Sequence, residues 1–132
     1  MRKIVLASHG YLASGMKSTV EMIAGKQDNL LAYDGYVGNN YNVEEFFNIL
    51  VNSGDEVIII TDLLGGSVNN EALKYAKCKN IYIIAGMNVS LVLNLVLKIS
   101  NDIEKDINES IEESKNMILF ARREIDMEEE DF

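Results

Sequence analysis

The chain predicts a three-layer α/β fold built on a mainly parallel, doubly wound sheet of four strands, and three observations lead there. Four short apolar runs alternate along the sequence with stretches whose apolar residues recur every three or four positions. Those runs are apolar almost without interruption, as strands covered by helices on both faces are. Glycines and other turn residues punctuate the junctions between them.

The first strand, Lys3-Ile4-Val5-Leu6-Ala7-Ser8, breaks at His9 and Gly10. Leu12, Met16, Val20 and Ile23 then recur at helical spacing, with Gly25 as the C-terminal stop. Leu30-Leu31-Ala32-Tyr33 is a short second strand, and Asp34 to Asn40 a turn-rich loop. Asn42 opens the next helix, with Glu45 in a capping-box position, an apolar stripe of Phe46, Phe47 and Leu50, and Gly54 as its end. Glu56-Val57-Ile58-Ile59-Ile60-Thr61 is the third strand and delivers Asp62. Ser67 is placed to cap a helix carrying Ala72, Leu73 and Ala76, and Ile81-Tyr82-Ile83-Ile84-Ala85 is the fourth strand, closing at Gly86. Ser90 is the expected cap of the segment from Val89 to Leu97, which is apolar nearly all round and implies burial on more than one side. Ile103, Ile107 and Ile111 continue a helical stripe, and residues 117–121 form a last apolar run.

A length of 132 residues favours one domain, set at residues 1–125, followed by an acidic, solvated tail over 126–132. With 48% apolar residues the chain can bury a core, yet no uncharged apolar stretch approaches the roughly 20 residues of a membrane helix. The N-terminus begins with a strand rather than a signal peptide, so a cytoplasmic protein without direct membrane insertion is expected. Cys78, the single cysteine, cannot form an internal disulfide, and one histidine supplies no cluster with structural metal spacing. A net charge of −9 repels phosphate backbones and argues against nucleic acid as a partner.

His9 and Asp62 fall at the carboxyl ends of two strands, where an open parallel sheet presents its crevice. Imidazole is a nucleophile when one ring nitrogen is unprotonated, and a carboxylate bonded to the other nitrogen fixes tautomer and orientation. Just beyond Asp62, the turn Gly65-Gly66-Ser67 can form an anion-binding concavity from successive amides and a hydroxyl, suited to a phosphoryl group. No second acidic residue ends the first strand and no Walker lysine pattern occurs, so neither magnesium nor a nucleotide cofactor is indicated. Each residue also has an ordinary structural role. Asp62 can bond loop amides, the glycines can serve positive φ, and Ser67 can cap a helix. Their convergence at one end of the sheet favours function.

Three blocks of the sequence resemble the IIA components of the mannose-class sugar phosphotransferase system of bacteria. One is Ala7-Ser8-His9-Gly10 with Glu21-Met22-Ile23-Ala24-Gly25. The second runs from Ser53-Gly54-Asp55-Glu56-Val57 through Thr61-Asp62-Leu63-Leu64-Gly65-Gly66-Ser67. The third is Asn69-Asn70-Glu71-Ala72 with Gly86-Met87-Asn88. The resemblance implies that His9 accepts a phosphoryl group on Nε2, that Asp62 holds Nδ1, and that Gly66 and Ser67 cradle the phosphate. It implies delivery from the histidine-containing phosphocarrier protein and onward transfer to a separate IIB component that passes the group to sugar. It also implies a homodimer that exchanges a C-terminal strand, residues 117–121, antiparallel at the partner's sheet edge; the competing expectation is that this run finishes the last helix. Two departures stand out: Val68 follows Ser67 where many relatives have proline, and Val89-Ser90 stands where another proline is common.

Other classes fit less well. A phosphoaspartate receiver using Asp62 would need an acidic pair where Ala7-Ser8-His9 stands. A non-enzymatic anion-binding module would use His9 as a contact only, and a donor subunit for a dihydroxyacetone kinase system would share the same histidine site.

Overall fold

The computed structural model describes residues 1–122. Among these lie four strands and five helices in the order β1 (Arg2–His9), α1 (Leu12–Ala24), β2 (Leu30–Gly35), α2 (Val43–Val51), β3 (Glu56–Thr61), α3 (Ser67–Leu73), β4 (Ile81–Ala85), α4 (Val89–Leu97) and α5 (Ile103–Lys115). The strands form one parallel sheet in the order β2-β1-β3-β4. This is the predicted doubly wound arrangement. The chain moves outward from β1 to β2, then crosses back to β3, so the order reverses between β1 and β3.

Two-residue alternation divides the core. Ile4, Leu6, Ile58, Ile60 and Ile84 pack with α1, α4 and the start of α5, while Val5, Ala7, Val57 and Ile59 pack with α2 and α3. Both sets need apolar side chains because both faces of the sheet are covered, which is why the strands read as unbroken apolar runs. The near-complete apolarity of α4 has the same origin within one chain. Leu91, Val92, Leu95 and Val96 are buried, and Val89 and Leu93 pack against the core that also holds Ile103 and Ile107 of α5.

The local chemistry shifts several expected boundaries. β2 runs on to Gly35, where a side chain would set its Cβ 2.8 Å from the Ser8 carbonyl oxygen. Asn42 does cap α2, accepting the Glu45 amide at 3.0 Å, but the helix ends at Val51 with Asn52 as its cap, before Gly54. α3 stops at Leu73, and bonds from Tyr75 to Ala72 and from Ala76 to Leu73 tighten the chain, leaving Ala76 outside. Its cap is Gly66 rather than Ser67, and α4 is capped by Asn88, whose Oδ1 accepts the Leu91 amide at 2.9 Å, rather than by Ser90.

At the base of the sheet, Arg2 reaches from the start of β1 to Asp106 of α5 at 2.8 Å, and also donates to the Lys98 and Ser100 carbonyls. Asp106 is buried and further held by the Ser100 amide and hydroxyl. Burial would raise this carboxyl, but the bonds from Arg2 and Ser100 outweigh that and hold it below the ordinary carboxylate range. The buried positions of α5 are Ile103, Asp106, Ser110 and Ser114, with Ile107 and Ile111 packed at the margin.

α5 ends at Lys115, so residues 117–120 do not finish that helix, and Met117, Ile118, Leu119 and Phe120 are each more than half exposed. The domain boundary at 125 and the acidic tail over 126–132 lie outside the described residues. No helix among the described residues is long and apolar enough to cross a membrane.

Candidate functional site

The carboxyl ends of β1 and β3 deliver two side chains to the place where strand order reverses. His9 is the last residue of β1, and Asp62 directly follows β3. The neighbourhood is stiffened by an unusual helix start: Tyr11 makes no side-chain cap for α1, and the amides of Ala13 and Ser14 go instead to Ser8 Oγ at 2.8 Å and Asp34 Oδ1 at 2.9 Å. The ends of β1 and β2 thus cap α1 together, from the register pair Ser8 and Asp34 that precedes His9.

One carboxylate oxygen holds the histidine twice. Asp62 Oδ2 accepts the His9 amide at 2.9 Å and bonds Nδ1 at 2.8 Å. The Asp62 side chain is 12% exposed and that of His9 47%, so the ring presents its far edge to solvent while its near edge is anchored. Burial would raise the Asp62 carboxyl, but the bonds from the His9 backbone and ring outweigh it and leave it below the usual range. An ionised carboxylate only accepts, so in the neutral imidazole the ring proton sits on Nδ1 and the lone pair on Nε2. Ser67 Oγ lies 3.0 Å from Nε2 and is therefore the donor in that bond. Tyr36 in turn donates its phenol proton to Ser67 Oγ at 3.0 Å, with its ring centroid 5.4 Å from that of His9.

The two turn glycines are there for different reasons. Gly65 has φ +82 with open space around its missing side chain, so conformation alone requires it. Gly66 has an ordinary φ of −71, but a Cβ there would stand 3.4 Å from His9 Cε1 and 3.3 Å from the Leu63 carbonyl oxygen. Its amide already donates to that carbonyl at 3.1 Å, and the Gly65 amide points to Asn69 Oδ1 at 3.4 Å. Gly66 therefore gives the histidine room, while the amides with no carbonyl of their own helix to bond are those opening α3.

All the residues singled out in the sequence, His9, Asp62, Gly65, Gly66 and Ser67, meet here. Ser67 is used differently from its expected capping role, since its hydroxyl faces His9. Tyr36 and the buried Asn69, which donates to Thr61 Oγ1 at 2.8 Å, are additions. The register of β1 on β2 contained the signal for Tyr36, because His9 pairs with Gly35 and Tyr36 comes next.

An α/β domain that holds a solitary histidine by a carboxylate at the switch point of its sheet has the build of a phosphotransferase component. The family described as PTS system fructose IIA component matches residues 3–119, and the chain belongs to that family. Its relatives include the mannose-specific EIIAB component of Escherichia coli K12, 32% identical over 95 residues; that match takes in 68% of this chain and 29% of the longer relative. A Klebsiella pneumoniae chain assigned to a phosphoenolpyruvate-dependent sugar phosphotransferase system permease superposes with a TM-score of 0.88 at 31% identity, covering 94% of this chain and 93% of that one. Phosphotransferase system component EIIA from Streptococcus agalactiae gives 0.83 at 25% identity, covering 93% and 99%.

Proposed function

We propose that this protein carries a phosphoryl group on His9 during sugar uptake, accepting it from the histidine-containing phosphocarrier protein and passing it to a IIB component. The supporting observation is the half-exposed imidazole whose Nε2 lone pair meets the Ser67 hydroxyl at 3.0 Å while Asp62 holds Nδ1 at 2.8 Å. In the transfer, the Nε2 lone pair forms the new N–P bond as the donor's N–P bond breaks and the donor nitrogen recovers its electron pair. The Nδ1 proton stays on the bond to Asp62, whose negative charge balances the positive charge that develops on the ring. The Ser67 hydroxyl turns from Nε2 to a phosphoryl oxygen, Gly65 and Gly66 shape the pocket wall, and the first amides of α3 face the incoming charge. With a phosphohistidine on each side of the transfer, the step is close to balanced, and positioning is the main task of the site. Exposed Tyr11, Leu63 and Leu64, which flank His9 and Asp62 in sequence, offer apolar surface to the docking proteins.

We also propose a homodimer in which residues 117–121 of one copy lie along β4 of the other. Among the described residues β4 bonds β3 on one side only, its outer edge borders a groove lined by Leu73, Ala76, Tyr82, Ile83 and Ile107, and exposed Ile118, Leu119 and Phe120 are an apolar segment in search of cover.

Intact-protein mass spectrometry tests the carrier reading. The chain should gain one acid-labile phosphoryl group from phosphoenolpyruvate only when the two general upstream phosphotransferase proteins are present. Labelling that persists in His9→Ala rules out His9. Asp62→Asn should keep the fold and slow labelling, since the amide brings no charge to the ring.

A further inference from the structure

We infer that Tyr36 is a positioning residue for phosphoryl transfer, its phenol fixing the Ser67 hydroxyl against Nε2 of His9; the inference rests on His9 being the acceptor. Tyr36 has φ +64 and is the one non-glycine residue with positive φ among those described. A bulky side chain seldom adopts that conformation, and such outliers gather where function holds them. The loop enforces it. Tyr36 donates its amide to the Asn40 carbonyl at 2.7 Å, Asn40 returns its own amide to Val37 at 3.0 Å, and the Asn40 side chain donates to the Asp34 carbonyl at 3.0 Å. Glycine or asparagine would make the same turn without strain, so the loop's shape is no reason for a tyrosine.

The phenol's contact supplies the reason. It lies 3.0 Å from Ser67 Oγ, which lies 3.0 Å from Nε2, which belongs to the ring held by Asp62. A serine hydroxyl is a free rotor with one proton and two acceptor sites. When Tyr36 occupies an acceptor site, Ser67's own proton is directed at the site of bond formation, and donation from the phenol strengthens that proton as a donor. During transfer the Ser67 O–H turns from Nε2 to a phosphoryl oxygen, its proton staying on Oγ, while the Tyr36 bond stays in place. Tyr36 thus prepares a donor that acts on the charge of the migrating group, without touching that group itself.

Tyr36→Phe retains the ring and removes only the hydroxyl. Using the full chain with phosphoenolpyruvate and the upstream proteins, it should lower kcat for His9 labelling about tenfold, the worth of one hydrogen bond in a transition state, with KM for the phosphocarrier unchanged. Melting should stay within a few degrees of wild type. In a Ser67→Ala background the same substitution should have no further effect, because its action passes through that hydroxyl. An unchanged kcat, a change in KM alone, or an equal loss in both backgrounds overturns the role of Tyr36 while leaving His9 as the carrier. A wild-type chain that takes no label overturns the carrier reading and this one with it.

Discussion

Substituting the two turn glycines separately should divide stability from transfer. At Gly66 the backbone, φ −71 and ψ 162, suits any residue, so alanine brings no strain and gains about 0.4–1 kcal/mol from a less flexible unfolded chain. Against this stand a 3.3 Å approach to the Leu63 oxygen and a 3.4 Å approach to His9 Cε1. The tighter approach is to the carbonyl, which accepts the Gly66 amide, so it is the turn between Asp62 and Ser67 that gives way by a few tenths of an ångström, against a ring already in contact. That movement stretches the bonds to Asp62 and Ser67 that aim Nε2. If misplacement by about 1 Å costs roughly a hundredfold, a shift of a few tenths slows transfer about fourfold, and the extra branches of valine approach the full loss. Melting of Gly66→Ala should stay within about 4 °C of wild type, the equivalent of 1 kcal/mol in a domain of this size. Gly65→Ala should do the reverse. Its Cβ meets nothing within 4 Å, but φ +82 costs an L residue about 1–2 kcal/mol, so melting falls by about 4–8 °C and transfer stays within about twofold. Rapid-quench labelling and thermal denaturation read the two effects. A Gly66→Val protein that transfers at the wild-type rate would refute the close-approach argument, and one whose stability falls in step with its activity would make Gly66 a purely structural glycine.

The Arg2–Asp106 pair should govern acid stability at the base of the sheet. Its carboxyl sits below the ordinary range in the folded protein, so its contribution is complete above about pH 4 and is lost as pH falls through the folded value; Asp106→Asn should flatten that acid limb and lower stability at neutral pH by about 3 kcal/mol. Melting curves against pH check this, and an unchanged acid limb contradicts it. For the dimer, light scattering should find two copies for the full chain and one for a chain ending before Met117. A full-length monomer at micromolar concentration ends the dimer proposal, and a truncated dimer ends the strand exchange alone.

His9 and Asp62 were legible because their places follow from burial. The strands that carry them are buried on both faces, so the first residue to leave the core at each carboxyl end marks the crevice, and a single histidine left no competing assignment. Residues whose partners lie far off in sequence were not legible. Asp106 falls between the isoleucines of an apolar stripe, and it is Arg2, 104 positions earlier, that together with Ser100 makes its burial tolerable. The stripe located α5 correctly but rotated its buried arc. Tyr36 was hidden by ending β2 at Tyr33: Asp34 and Gly35 resemble turn residues, yet both stay in the strand, Asp34 supplying a cap to α1 and Gly35 allowing close contact with β1. Ser67 illustrates propensity yielding to tertiary chemistry, since the hydroxyl that would cap a helix is engaged by His9 and Tyr36.

Val68 occupies the position where the family resemblance leads one to expect proline, and the expected penalty is a looser turn. The surroundings of Gly65 supply rigidity by other means. Val68 is fully buried in the core formed with α2, and the buried Asn69 donates to Thr61 Oγ1 at 2.8 Å while facing the Gly65 amide. Asn70 donates its side-chain amide to the Gly65 carbonyl at 3.2 Å, so this glycine is held from both of its backbone groups. A proline would have fixed φ and forfeited its N–H. Valine anchors the same turn through its side chain and keeps that N–H, in the stretch of helix where amides have no carbonyl of their own helix to bond. The exchange therefore leaves the turn before His9 fixed and adds one backbone donor where the proposed chemistry brings negative charge.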